Sequence, residues 1–535
     1  MSNWDIAKQY HQYSRHDYHR SAPGPGYMDW ENQPDPFRHY DGAEIIKLNK
    51  VSLNEGPLFH EALQPENILP LPLNFATLSQ LFFDSLAISA WKSFKGSKWA
   101  LRVNPSSGNL HPTESYLICG PLEGFSNSSS VSHYCPKTHG LEIRTTFSNH
   151  TWEKMGLPEN TFFIGLSSIY WREAWKYGLR AFRYCHHDMG HALAAINVAS
   201  SVLGWRTQLM DHFGSEELEV IMGLHEKNEK EIEVPNCLIA INLPENAKHI
   251  RSSNFLADFS DFMWAGEPNI LSNEHMDWNG IIEVSQATQK PSTECSSHFI
   301  TTTLPILLQE DSFPIRKAIH QRRSAVAMDG KKRISSETFF QFMAITVPEA
   351  SPLPFQTFPW DSQIHLGVFV HRVDGLAEGL YFLVRNKNHL SDLKAKLKHD
   401  FSWAKPNGCP ENLSLFLLQE GDFQGVATSV SCGQDIAGKG CFSLGMISAF
   451  ENTSTNFGPW MYPRLYWECG AIGQMLYLQA EVSGIRSTGI GCFFDDPVRE
   501  VFGIEDLSYQ SLYHFTVGGP VEDTRLTTLS AYPDD

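Results

Sequence analysis

The sequence has no two cysteines in CxxC spacing. Its ten cysteines, at positions 119, 135, 185, 237, 295, 409, 432, 441, 469 and 492, come no closer than Cys432 and Cys441. That pattern excludes a zinc ribbon and a disulfide framework, and free thiols in a reducing compartment are expected. No run of about 18 apolar residues occurs, which excludes a helical membrane span. The opening Met1-Ser-Asn-Trp-Asp-Ile-Ala-Lys8 lacks an apolar core of signal-peptide length, so the cytoplasm is the expected location. Positive charge is in deficit: 42 Lys and Arg face 60 Asp and Glu, for a net charge of −18. Broad binding to nucleic-acid phosphates is thereby excluded, but not a local basic pocket for one anion.

What is present is enough chain, 535 residues at 42% hydrophobic content, for two or more cored domains. A long apolar segment from Arg183 to Gly204 recurs from Arg464 to Gly484. At an offset of 280 residues (468 less 188), Glu468 falls on Asp188, Gly470 on Gly190, Gly484 on Gly204 and Arg486 on Arg206. The register continues without a gap, so that Val501–Ile504 falls on Ile221–Leu224. Amphipathic helices in general share apolar positions, but not glycines and an acid in register, so the sequence predicts a tandem duplication. Each repeat predicts a buried central helix ended by its glycine. Apolar runs at Phe162–Leu166, His365–Val370 and Leu415–Leu418 read as strands, giving an α+β class. The polar stretch Ser285–Ser297 reads as a linker or exposed loop.

The copies differ where chemistry is expected. Gly489, Ile490 and Gly491 follow the second helix, and the glycines would let a planar ligand approach the backbone; the first copy has Leu209 and Asp211 there. Conversely, Asn104–Glu114 in the first copy carries Pro105, Ser106, Ser107 and Asn109 in a Pro/Gly-bounded turn suited to a polar ligand, with no counterpart near Pro348–Pro354. Arg322, Arg323 and Ser324 offer two guanidinium forks and a hydroxyl for a phosphate, or else an exposed basic patch. Their candidate counterpart, Phe82–Ala90, has no arginine. His187 and His191 stand one helical turn apart, which suits either a metal or helix packing; without a zincin glutamate or a third ligand, no metal is expected.

Together, Arg322-Arg-Ser324, Pro105-Ser-Ser-Gly-Asn109 and Gly489-Ile-Gly491 resemble the FMN-binding elements of the nitroreductase-like flavoenzymes. With Met28–Pro34 and Arg172–Tyr177, the wider match is to their SagB/ThcOx-type dehydrogenase branch, over nearly the whole chain. The resemblance implies two nitroreductase-like domains, each a mixed sheet flanked by helices, forming an intrachain pseudo-dimer. The implied divisions are an N-terminal extension (1–70), a first domain (71–250), a linker region (251–300) and a second domain (301–535). It implies one composite FMN site, with Arg322, Arg323, Ser324, Gly489, Ile490 and Gly491 from one half and Pro105, Ser106, Ser107 and Asn109 from the other. Arg525 would be a late phosphate contact, and Val326 stands where many members carry a basic residue. Lys176 and Tyr177 resemble the proton-transfer pair of azoline oxidases, or else form an ordinary surface pair. The implied activity is an FMN-dependent oxidoreductase acting on a small-molecule or peptide-derived substrate, with NAD(P)H as a candidate reductant. Oxidation of an azoline or amine in peptide tailoring and a non-catalytic flavin-binding scaffold are the alternatives.

Overall fold

The computed structural model describes residues 1–53, 55–224, 230–242, 259, 262–294 and 312–533. The first sheet contains β1 (Glu44–Lys47), β2 (Thr113–Cys119), β3 (Ser129–Cys135), β4 (Gly140–Phe147), β5 (Phe162–Ile169), β6 (Thr207–Leu209) and β7 (Glu233–Ile241), in the order β1-β4-β3-β2-β5-β7-β6. The second contains β8 (Ile364–Val370), β9 (Gly379–Leu383), β10 (Leu415–Glu420), β11 (Phe442–Ala449), β12 (Arg486–Ile490) and β13 (Tyr509–Gly518), in the order β10-β9-β8-β11-β13-β12. Without the extra edge strand β1, the two orders correspond strand for strand. The helices recur as well: α1 (Phe59–Ala62), α2 (Tyr170–Tyr177), α3 (Ala181–Val202) and α4 (Ser215–Met222) match α5 (Ile315–Gln321), α6 (Phe450–Phe457), α7 (Met461–Val482) and α8 (Asp495–Phe502).

The central helices α3 and α7 have 22 residues each and are buried along almost their whole length. They pack on each other between the sheets, which explains why apolar residues surround both. A Cβ on Gly190 would stand 2.1 Å from the carbonyl oxygen of Trp467, and one on Gly470 would stand 2.1 Å from that of His187. These contacts are related by the same 280-residue offset. The glycines recur because the helix backbones touch there. Beyond the seam, Gly204 (φ 69°) and Gly484 (φ 65°) take the left-handed conformation that ends each helix.

The strands named above pair antiparallel, and a parallel bridge from Ser324 to Ser487 lies on the β12 edge. The α2–α3 crossover does return the chain in the same sense, but β7 then inserts between β5 and β6, as β13 does between β11 and β12. The stretch Ser285–Ser297 is not simply a loop. A helix at Asn279–Ala287 runs into it, because Ile281, Val284 and Ala287 recur at helical spacing and are buried; Cys295–Ser297 lie outside the described residues.

The counterpart of Arg322–Ser324 is also not Phe82–Ala90. Phe59 N–H donates to the Phe313 carbonyl (2.9 Å), and Ile315 N–H donates to the Pro57 carbonyl (3.2 Å). This reciprocal bridge pairs α1 with α5, so Leu63–Glu66 follows where the arginines follow in the second copy. No arginine occurs there either. The 1–70 segment contributes β1 to the first sheet and reaches the second copy, where Arg15 pairs with Asp496 at 3.0 Å. No helix among the described residues is long and apolar enough to cross a membrane.

Candidate functional site

A cavity of about 780 Å³ opens between the copies. Ligand pockets commonly fall within about 300–1,000 Å³. The first copy supplies the turn Asn104–Asn109 with His111, then Tyr177 from α2 and Tyr184, Asp188 and His191 from α3. The second supplies Arg322, Arg323 and Ser324 after α5, Tyr477 of α7, Arg486 and Thr488–Cys492 along β12, and Tyr513 of β13. The residues predicted from opposite halves therefore share one wall, apart from Lys176 and Arg525.

One part of that wall is cationic. Lys92, Arg322, Arg323 and Arg486 all line it. Burial, then the charges of Arg322 and Arg486, pulls Arg323 down to about 10. Lys92 is lowered by the same kind of crowding. Glu481 offsets part of this charge, 3.2 Å from Arg486. Crowded guanidinium groups at a cavity wall form a donor set that fits a phosphate. Arg322 has a second role: its Nε and Nη2 donate to the carbonyls of Val103 and Arg102 at 3.2 and 3.0 Å, which fastens the first copy's turn to the second copy. Ser324 Oγ lies 2.8 Å from Tyr477 Oη, which also accepts the Gly489 N–H at 3.1 Å.

The clearance at the two glycines is used differently from expectation. A Cβ on Gly489 would stand 1.9 Å from Tyr513 Oη, and one on Gly491 2.3 Å from Tyr184 Cε1. Tyrosine rings take that space, and both rings line the cavity. With Trp99, Tyr177 and Tyr477 they make a wall suited to a flat ring system. The predicted hydroxyls and amide mostly build their own turn. Ser107 donates to Asp188 from N–H and Oγ, both at 3.0 Å; Ser106 Oγ accepts the His111 N–H at 2.8 Å; Asn109 Nδ2 donates to the Ala100 carbonyl at 2.8 Å.

Asp188 and Glu173 were not predicted as site residues. Asp188 is buried, and burial pushes it up to about 7 despite its serine donors. Glu173 is fully buried, and neither carboxylate oxygen has a hydrogen-bond partner among the described residues. Burial first, then the charge of Asp188, raises it well above the usual carboxylate range. Lys176 and Tyr177 border this pair. A Cβ on Gly108 would meet Tyr177 Oη at 2.6 Å and Lys176 Nζ at 3.2 Å. The second copy has Thr453, Asn456 and Phe457 in place of Glu173, Lys176 and Tyr177. There Glu468, matching Asp188, pairs with buried Arg385.

This acid predicts a pH effect. Between the ordinary 3.8 and about 7, the folded chain holds a proton on Asp188 that the unfolded chain has released. Its stabilisation is complete below the unfolded value and is lost as pH rises through about 7. The wild type should therefore lose melting temperature relative to Asp188→Asn as pH rises from 5 to 8, since the buried histidines, held below their ordinary value, act alike in both proteins. Parallel melting profiles for the two proteins would contradict the assignment.

Arg525 does not reach the cavity. Its Nε and Nη2 both bind Asp523 at 2.8 Å, and the side chain is exposed, because an acid two residues away captures the fork. His186 and His187 pack against the second copy, His186 Nδ1 accepting from Trp467 Nε1 at 3.0 Å and His187 Nε2 lying 3.0 Å from the Leu512 carbonyl of β13, while His191 lines the cavity. No group of three metal-ligating side chains occurs among the described residues.

The symmetry-related place is closed. Asn197 and Thr207, which match Tyr477 and Ser487, bond directly to Thr357 from the second copy, with Thr207 Oγ1 2.8 Å from Thr357 Oγ1. Asp211, matching Gly491, is ion-paired at 3.0 Å with Arg464, which matches Tyr184.

A crystal structure of a candidate nitroreductase from Anabaena variabilis covers 96% of this chain and 99% of its own, with a TM-score of 0.69 and 20% identity. The chain has the nitroreductase fold. A candidate nitroreductase of Methanocaldococcus jannaschii is 24% identical over 161 residues, which span 29% of this chain and 77% of that protein. No family model matches the chain. Here the nitroreductase fold is used twice, and among the described residues the cavity lies on one side of the pair while side-chain contacts fill the related place on the other.

Proposed function

We propose that the chain is an FMN-dependent oxidoreductase of the SagB-type dehydrogenase branch, with one composite flavin site between its two copies. The observation that supports this reading most is the shared cavity, in which the arginine–serine and glycine elements of one half meet the Pro-Ser-Ser-Gly-Asn turn of the other. Bound FMN would supply hydride transfer at its ring N5. Arg322, Arg323 and Arg486 would hold the phosphate, with Ser324 beside them. Ile490 and the glycines of β12, the tyrosines packed on them, and the turn Pro105–Asn109 would enclose the ring. Glu173 would hold a proton and Asp188, at about 7, would exchange one near neutrality beside Lys176 and Tyr177, so this group can take up or deliver the proton that accompanies a substrate's redox change.

The buried acids and the Lys176–Tyr177 pair favour a dehydrogenase acting on a small, peptide-derived azoline or amine. Reduction by NAD(P)H is the competing direction, and bleaching of the flavin by reduced pyridine nucleotide would select it. A protein that binds flavin but turns over with neither would be a scaffold. The proposal also places the chain in the cytoplasm.

Arg323→Ala tests the phosphate assignment. Losing a charge-assisted hydrogen bond costs roughly 1.5–3 kcal/mol, so FMN affinity should fall by about one to two decades. Fluorescence titration of the flavin-free protein measures it. Unchanged affinity in a folded variant would remove Arg323 from the phosphate site.

A further inference from the structure

Cys432 and Cys492 are 60 residues apart in sequence, yet their sulfurs stand 2.6 Å apart. Cys432 lies in the turn between the helices Gln424–Val430 and Asp435–Lys439, in the left-handed region at φ 55°. That conformation is unfavourable for a residue with a side chain, so the surroundings must hold it there. Cys492 follows Gly491 and lines the cavity. Hydrogen bonds fix the two segments beside this contact. Phe494 N–H donates to the Val430 carbonyl at 2.8 Å, and Gln434 Nε2 donates to the carbonyls of Ser431 and Cys492, both at 3.0 Å.

The two thiols are not equivalent. Cys492 is exposed, whereas Cys432 is half-buried. The Arg180 guanidinium donates to the Gly491 carbonyl at 3.1 Å, next to Cys492. The hydrogen bond from Cys432, and secondarily the Arg180 charge, brings Cys492 down to about 7. Cys492 is therefore the better nucleophile. Six other described cysteines are buried, and Cys409 is partly so.

We infer that Cys432 and Cys492 are a reversible dithiol–disulfide pair at the cavity wall, oxidised by exchange with a low-molecular-weight disulfide. The Cys492 thiolate attacks one sulfur of the small disulfide, forming a mixed disulfide and releasing one small thiolate. Cys432 loses its proton to solvent and attacks Cys492 Sγ, expelling the second small thiolate. The protein loses two electrons and two protons, and the small disulfide becomes two thiols. Closure joins the end of β12 covalently to the turn after the Gln424–Val430 helix, fixing one wall of the cavity. None of this depends on which ligand the cavity holds.

The test uses the whole chain, fully reduced and then equilibrated in buffers with increasing ratios of oxidised to reduced glutathione. Free thiols are alkylated after acid quenching, and the protein is digested and analysed by mass spectrometry. A linked peptide pair containing Cys432 and Cys492 should accumulate as the ratio rises and disappear with reductant. Cys432→Ser should instead retain glutathione on Cys492, since the resolving thiol is gone. Free or separately glutathionylated Cys432 and Cys492 in the oxidised wild type, or linkage of either to a third cysteine, would overturn the proposal. Absence of the adduct on Cys492 in Cys432→Ser would overturn its role as the attacking thiol.

Discussion

Replacing Gly190 with valine should leave almost no folded chain. The added Cβ would stand 2.1 Å from the Trp467 carbonyl oxygen, and that atom belongs to a helix backbone, not to a side chain that can turn aside. Relief requires α3 and α7 to separate, opening the seam along which the copies pack. Overpacking a core ordinarily costs about 1–3 kcal/mol, but here it would pry apart two buried helices in a protein whose stability is expected to be about 5–15 kcal/mol. Gly190→Ala is the graded control. Alanine favours a helix interior over glycine by about 1 kcal/mol, so destabilisation by alanine can only come from the crossing. Soluble yield and thermal unfolding followed by circular dichroism measure both. A Gly190→Val protein melting like the wild type would show that the helices do not touch there.

Arg172→Ala should destabilise the chain by about 3–5 kcal/mol, the usual result of removing one partner from a buried ion pair. Arg172 is fully buried and pairs with Glu114, while its Nη1 and Nε donate to the carbonyls of His111 (2.8 Å) and Asp35 (3.0 Å). Glu114 in turn bonds His133 at 2.9 Å, and His133 bonds Glu142 at 2.8 Å. Burial pushes Glu114 upward, but Arg172 and His133 outweigh it and hold the carboxyl at about 2. Burial pushes His133 down, but its two carboxylates outweigh it and raise the ring to about 9. Without Arg172, the chain must carry an undercompensated Glu114 and an orphaned His111 carbonyl, at the base of the turn that lines the cavity. Ligand affinity should fall along with stability. Urea unfolding measures the stability loss, and a change under about 1 kcal/mol would mean that Arg172 is not the anchor.

Sequence legibility followed the distance over which a signal acts. The duplication was legible because Gly190 and Gly470, Gly204 and Gly484, and Asp188 and Glu468 repeat in register without a gap. Backbone contact and helix termination admit few residue types, so both copies kept them. The unequal loss of Pro105–Asn109, Arg322–Ser324 and Gly489–Gly491 marks where the copies part, the resemblance joins them, and the structure brings all three to one cavity wall. What those residues touch was not legible. Nothing local shows that the glycines make room for Tyr184 and Tyr513, or that Ser107 is committed to Asp188. Arg525 resembles a phosphate ligand by its place in the chain, but Asp523, two residues away, takes its guanidinium. Asp188 does leave a usable trace, since an acid inside a helix read as buried calls for a partner; Glu173 leaves none, because its segment carries no buried pattern of its own. Arg486 appeared only as a match to Arg206. The contact between Cys432 and Cys492 depends on a turn and a strand end brought together by tertiary pairing, which spacing does not reveal.

Strip the chain of flavin, reconstitute it with saturating FMN, remove the excess by gel filtration, and measure released FMN against chain concentration. Among the described residues the contacts of Asn197, Thr207 and Thr357 fill the place opposite the shared cavity, and the predicted ratio is one FMN per chain. A reproducible ratio of two would mean that both symmetry-related places bind flavin; retention of none by the folded chain would mean that the shared cavity is not a flavin site.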